Sequence, residues 1–311
     1  MVGILDRLFG RRRRREYGVT PLAPHNTFGV FSPKGGVGKT TVLLEMGTLL
    51  ALKDLKVLFI DWDLWSHRMT LRIAGEARYG KALLDYLVGK AKETDIILKL
   101  EYESVHGKMA SVYLVPAVNP DAPDLEENIK KLADLTENKP EKVKERATAL
   151  TRRLGRSFDI IFNDYPVPGG VIPPAYYRAA VAASYNLIVV IDPVKSTIDN
   201  AIRYVNMFFS KHHIFMLVVN MIRPYKLEYM QAYAESEDMC KLFGPDYVVY
   251  VPFDPRLFDV RVGSAAKPAA LQFSPVEIPA LRVLNQAADA MVKRLGNPEE
   301  ITECIVIHLK V

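Results

Sequence analysis

From residue 27 onward, short apolar runs alternate with stretches whose apolar residues recur at helical spacing. The runs Thr27–Ser32, Lys56–Asp61, Val112–Ala117, Phe158–Asn163, Leu187–Ile191, Ile214–Asn220 and Tyr247–Val251 are short and rich in Val, Ile and Phe. Such runs fit strands buried on both faces. Helices are predicted between them, over about Thr40–Leu52, Lys81–Lys90, Asp124–Arg153, Pro174–Ala183, Ser196–Ser210, Lys226–Leu242 and Ile278–Leu295. Strands alternating with helices in this way predict an α/β, doubly wound, mostly parallel sheet with helices on both faces. The organisation expected is an arm over 1–26, one domain over 27–295 and a tail over 296–311, where Ile301–Val311 alternates weakly and offers an edge strand. The polar piece Pro123–Arg156 reads as a helical insertion or a helix pair.

Composition narrows the class. With 311 residues, 49% of them hydrophobic, the chain is long enough for a sizeable core, and its 18 Gly and 20 Pro are spread without period. Collagen-like and disordered chains are thereby excluded. No apolar run approaches the roughly 20 residues of a spanning helix, so no membrane span is predicted. Two cysteines, Cys240 and Cys304, make no disulfide framework and no C-x-x-C metal site, which favours a reducing, cytoplasmic setting. The start MVGILDRLFG is followed by its charges rather than preceded by them, unlike a secretory signal. Of the net charge of +5, residues 1–16 supply +4, with Arg7 and Arg11–Arg15 against Asp6 and Glu16. The body is close to neutral, and the arm is suited to phosphates of nucleic acid or lipid.

The chemistry concentrates in Ser32-Pro-Lys-Gly-Gly-Val-Gly-Lys-Thr-Thr41, which follows the strand FGVF and opens the helical pattern VLLEMGTLL. Glycines at 35, 36 and 38 let backbone N–H groups turn inward around phosphates, and the helix N-terminus adds its dipole. Gly35, Gly36, Val37, Gly38, Lys39, Thr40 and Thr41 are therefore the candidate phosphate cradle. Lys39 is placed for the β- and γ-phosphates and the Thr40 hydroxyl for Mg²⁺. Pro33 stands where the strict G-x-x-x-x-G-K-[ST] string has its first glycine.

KGGVGKTT, with its extra Lys34, resembles the deviant P-loop of the ParA/MinD ATPases, and the motifs over most of 27–295 arrive in that family's order. The resemblance implies a P-loop ATPase fold, ATP and Mg²⁺ as cofactors, and a homodimer in the ATP state, with Lys34 reaching the partner's nucleotide. VLFIDWD is similar to the family's D-x-D, which implies that Asp63 holds the attacking water while Asp61 lies near the metal. FDIIFNDYP resembles the Walker B strand, implying that Asp164 holds the Mg²⁺ shell and that Tyr165–Gly170 forms the second switch. VVNMI and VPFDP imply Asn220 as adenine reader and Pro252, Phe253 and Asp254 as the loop around the base. Leu64-Trp65-Ser66-His67 departs from the Pro-Gln-Gly-Asn of ParA-like members. Each residue has a plain structural reading beside this one. Asp61 and Asp63 can end a strand, Asp164 can form a turn before Pro166, and Asn220 can cap a helix. Trp62, Trp65 and His67 read as packing around the switch, and Tyr176 and Tyr177 as filling.

Ile4, Leu5, Leu8 and Phe9 share one side of a short helix, with Asp6 and Arg7 on the other. The arm is thus a small amphipathic anchor, with arginines that would each add about 1 kcal/mol on an anionic surface. The same arginines suit DNA phosphates, and a solvated tail or a segment folded on the body are the alternatives. Pro33 resembles the ParA members more than the MinD ones. The first expectation is accordingly a ParA-like ATPase for DNA partition that binds nonspecific DNA, is stimulated by a centromere-binding partner protein, and is cytoplasmic and nucleoid-associated. The second is a MinD-like peripheral membrane ATPase that meets an anionic membrane through residues 1–15. A metabolic member with amidase-linked synthetase activity is a third.

Overall fold

The computed structural model describes residues 18–75, 77–169, 172–223, 236–257, 267–296 and 303–309. The arm's apolar side and Arg11–Arg15, Gly170, and most of the helix expected over Lys226–Leu242 lie outside these.

Among the described residues nine strands form one sheet: β1 (Thr27–Phe31), β2 (Val57–Asp61), β3 (Leu98–Glu103), β4 (Met109–Val115), β5 (Ile160–Asp164), β6 (Asn186–Ile191), β7 (His213–Ile222), β8 (Tyr247–Pro252) and β9 (Ile305–Ile307). Their order across the sheet is β3-β4-β2-β5-β1-β6-β7-β8-β9. Every pairing is parallel except the β3–β4 hairpin. The central strands β1, β2, β5 and β6 are buried at every position, which is why their sequences are continuous apolar runs. β3, LKLEYE, alternates half-buried and exposed residues at the sheet edge. That period-2 pattern escaped a search for apolar runs.

Helices cover both faces. On one lie α1 (Lys39–Ala51), α2 (Arg68–Ala74), α9 (Ala269–Gln272) and α10 (Pro279–Gly296). On the other lie α3 (Leu83–Val88), α4 (Leu125–Asn138), α5 (Pro140–Leu154), α6 (Pro174–Ala182), α7 (Lys195–Phe208) and α8 (Ser236–Phe243). The stretch 123–156 is two helices that break at Lys139, because Pro140 fits a first helical turn but not an interior. Both join the apolar core on this face through residues such as Leu132, Val143, Ala147 and Leu150. Among the described residues no helix is long and apolar enough to cross a membrane.

The cysteines require a correction. β9 pairs in parallel with β8, on which α8 also packs, and this brings Cys240 of α8 and Cys304, just before β9, to a Cα separation of 5.9 Å as a disulfide. The cysteine argument for a reducing compartment therefore falls. Closing 64 residues of chain, the bond is expected to contribute about 2–4 kcal/mol. Cys304→Ser, or reductant on the wild type, should lower the thermal midpoint, and an unchanged midpoint in both would show that the bond holds nothing.

Candidate nucleotide site

The sheet order places the carboxyl ends of β2, β5, β1 and β6 side by side, where ligands collect in open α/β sheets. β1 feeds a loop over 32–38, and α1 starts at Lys39. Gly36 and Gly38 have φ of 82° and 85°, the left-handed region that favours glycine. Gly38 is glycine for a second reason, since a Cβ there would collide with the side-chain amide of Asn220. A Cβ on Gly35 or Gly36 would instead meet open space, as a cradle for an incoming group requires. Asn220 donates its Nδ2 to the Val37 carbonyl at 2.8 Å and so braces the loop from below.

Register pairs Asp61 with Asp164 across β2 and β5, but the two carboxylates have different surroundings. Asp164 forms an ion pair with Lys39 and accepts from the Thr40 hydroxyl at 3.3 Å. Burial raises its carboxyl above the usual range while Lys39 pulls it down. Asp61 accepts at Oδ2 from the Thr70 amide and hydroxyl, at 2.9 and 2.8 Å, and at Oδ1 from the Asp63 amide at 3.0 Å. Burial, and next the Asp164 charge, push it up to about 7. Both of its oxygens are thus committed to fixing the start of α2 and the turn at Asp63. Asp63 in turn accepts from the Ser66 amide at 2.9 Å and from the Ser66 hydroxyl.

A cavity of about 490 Å³ opens above this floor. Of the residues expected from the sequence, it brings together Lys34, Gly35, Gly36, Val37, Gly38, Lys39, Thr40, Thr41, Asp63 and Asp164. It does not bring in Asp61, Asn220, Pro252, Phe253 or Asp254. Asp61 is sequestered by Thr70, and Asn220 is turned toward Val37 with Met221 lining the wall instead. Asp254 is held by Arg256 through bonds of 2.6 and 2.8 Å, and Phe253 lies under the Arg223 guanidinium at 4.8 Å. The metal role expected for Asp61 and the base contacts expected for these residues therefore find no support in the cavity's walls. Thr40 and Asp164 are the oxygen donors that fit Mg²⁺, a hard cation.

Lys34 stands at the rim, its side chain 44% exposed, and pairs with Asp192 of its own chain at 2.8 Å. Trp62 is buried, with its indole N–H donating to Asn163 at 2.7 Å and its carbonyl accepting from the Tyr176 hydroxyl at 2.7 Å. Tyr176, expected as filling, thereby ties α6 to the Asp61–Asp63 turn. His67, with φ of 34°, is the N-cap of α2, and Trp65 packs edge-on to Tyr176 at 5.6 Å. Sequence reasoning gave no site role to Ser66, Arg68 or Arg72, which line the cavity. Four residues apart in a run following Asp63, the arginines share a helical face, and that spacing was the available signal.

Residues 28–261 match the CobQ/CobB/MinD/ParA nucleotide binding domain. The septum site-determining protein MinD of Bacillus subtilis is 27% identical over 202 residues, 64% of this chain and 66% of that protein, so the chain spans just under two thirds of this relative. The chromosome partitioning protein ParA of Caulobacter vibrioides is 36% identical over 78 residues, 25% of this chain and 29% of that protein. Among solved structures, the septum site-determining protein MinD complexed with Mg-ADP from Pyrococcus horikoshii has a TM-score of 0.61 at 21% identity, covering 88% of this chain and 98% of that one. A match running from β1 to beyond β8 takes in the glycine cradle, both carboxylate strands and the cavity they enclose, and the chain belongs to the CobQ/CobB/MinD/ParA family of nucleotide-binding domains.

Proposed function

We propose that this protein is a Mg²⁺-dependent ATPase of the MinD type, which dimerises around ATP and meets an anionic membrane through its N-terminal arm. The observation that carries the nucleotide reading is the cavity in which Lys39, Thr40, Asp63 and Asp164 converge beside glycines whose missing side chains leave room for phosphates. Backbone N–H groups and Lys39 bind the β- and γ-phosphates. As Lys39 turns to them it releases Asp164, which with Thr40 is then free to hold Mg²⁺. Mg²⁺ held by Thr40 and Asp164 would supply positive charge against the phosphates. Asp63, fixed by Ser66, orients the water that attacks the γ-phosphorus.

Lys34 is paired in cis with Asp192 at 2.8 Å and half exposed, which suits a monomer whose lysine exchanges Asp192 for the partner's nucleotide. There it would neutralise charge on the transferred phosphoryl group. The relatives weigh toward the second of the two sequence expectations, since the Bacillus MinD match runs over 202 residues and the Caulobacter ParA match over 78. Pro33 is a weaker guide than that difference in extent. The six arginines and four apolar residues of the arm supply the membrane term, and a dimer doubles it.

Sedimentation with anionic liposomes and with plasmid DNA, each in ATP and in ADP, tests this reading. Pelleting with liposomes in ATP only, lost on deletion of residues 1–15, is expected. ATP-dependent pelleting with DNA and none with liposomes would replace it by the partition reading. Lys34→Ala is expected to keep ATP binding and lose turnover, and wild-type turnover would remove the in-trans role.

A further inference from the structure

Arg72 occupies the last turn of α2 and lines the nucleotide cavity together with Lys39, Thr40 and Thr41. One arm of its guanidinium, Nη1, donates to the Thr41 hydroxyl at 2.7 Å, which fixes the plane of the group against the first turn of α1. Its Nε–H is buried with no hydrogen-bond partner among the described residues. Among the described residues no carboxylate stands within ion-pair distance of it. Burial works against its charge, and Glu45, one turn along α1 from Thr41, supports it. Glu45 spends both oxygens on the amides of Ala269 and Ala270, each at 2.8 Å. Burial also pushes its carboxyl up to about 7, against the lowering by those two amides and by Arg72. The result is a half-buried guanidinium, anchored on a cradle residue, short of a counter-anion and with an unused donor.

Burying a cation in that state is unfavourable unless an anion completes it. Guanidinium is also the group whose planar fork matches phosphate oxygens. We propose that Arg72 is a phosphate-binding residue of the nucleotide site, its guanidinium docked on Thr41 and taking a phosphate oxygen of the nucleotide held by the same chain. Arg72, from the helix that follows Asp63, then joins Lys39 from the loop in holding the phosphates in cis. Because Asp61 fixes the start of that helix through Thr70, a phosphate held by Arg72 is linked through α2 to the turn that presents Asp63.

This proposal rests on the nucleotide reading above, and one titration separates the two. A fluorescent N-methylanthraniloyl ADP is titrated into the full chain as wild type, Arg72→Gln and Arg72→Lys. Loss of a charge-assisted bond to phosphate is expected to weaken ADP at least tenfold in Arg72→Gln, with Arg72→Lys recovering most of the loss. The salt dependence of ADP affinity should also become shallower in Arg72→Gln than in the wild type. Affinity within twofold of wild type in Arg72→Gln overturns the proposal and leaves the nucleotide reading standing. Equal losses in both variants with an unchanged salt dependence also overturn it, because Arg72 would then only brace Thr41. A wild type that binds no ADP ends both readings. Should Arg72→Gln fail to fold, Arg72→His decides: its ADP affinity is expected to rise as pH falls from 8 to 6, and a flat profile overturns the proposal.

Discussion

Lys39→Met is expected to lose ATP and ADP binding by two to three orders of magnitude, ~3–4 kcal/mol in binding free energy. Its effect on the free protein should be smaller than the loss of a buried ion pair usually is. Methionine keeps the apolar stem and removes only the ammonium that pairs with Asp164. Breaking a buried pair from one side commonly costs about 3–5 kcal/mol, because the remaining charge is stranded. Asp164 has an escape, since burial already raises its carboxyl and the loss of Lys39 removes the opposing influence. The carboxyl therefore takes up a proton in the variant instead of remaining charged. A group whose folded pKa is raised gives stability that is present at low pH and lost as pH rises through that folded value. The variant should thus lie close to wild type in thermal midpoint at pH 5 and fall behind it toward pH 8. Calorimetric titration with ATP and melting curves across that range check both halves. Wild-type ATP affinity would remove Lys39 from the phosphate site, and a pH-independent stability gap would show that Asp164 does not take up the proton.

The cradle was legible because glycine, lysine and threonine at fixed offsets leave few physical alternatives between a buried strand and a helix. The central strands were legible because two-sided burial makes them continuously apolar. The supports of the site were not. Asp61 reads as a ligand in a D-x-D string, yet its oxygens go to Thr70, nine residues on, in a short helix whose seven residues carry too little periodicity to be noticed. Asn220 at a strand end reads as a base contact, whereas the sheet order sets it directly under Gly38, where a missing Cβ makes room for its amide. Tyr176 gives no local signal at all, because its partner, the Trp62 carbonyl, is 114 residues away and meets it only once α6 packs beside β5. Pairing of Cys240 with Cys304 likewise depends on the last strand joining the edge of the sheet at β8. Residue types that act by backbone geometry can be read from order in the chain, and those that act through a distant partner need the fold.

Asp63→Asn is expected to bind ATP as the wild type does and to lose turnover by about 10²–10⁴-fold, the usual range for removing a group that takes or orients the proton of the attacking nucleophile. The amide is the informative replacement. In the wild type one carboxylate oxygen accepts from the Ser66 amide at 2.9 Å and the other from the Ser66 hydroxyl. Asparagine retains an oxygen for the Ser66 amide, so the turn leading into α2 and the cavity wall formed by Ser66, Arg68 and Arg72 stay in place. What disappears is the negative charge of Asp63 at the cavity wall, the feature proposed above to polarise a water beside the γ-phosphate. If dimerisation follows ATP binding rather than hydrolysis, the variant should collect as an ATP-bound dimer, because the step that releases the pair is blocked. Light scattering with ATP and with ADP reads the state, and single-turnover phosphate release reads the chemistry. A variant that hydrolyses ATP at the wild-type rate takes Asp63 out of the reaction. One that neither turns over nor dimerises with ATP bound separates nucleotide binding from assembly in this chain, and with it the use proposed for Lys34.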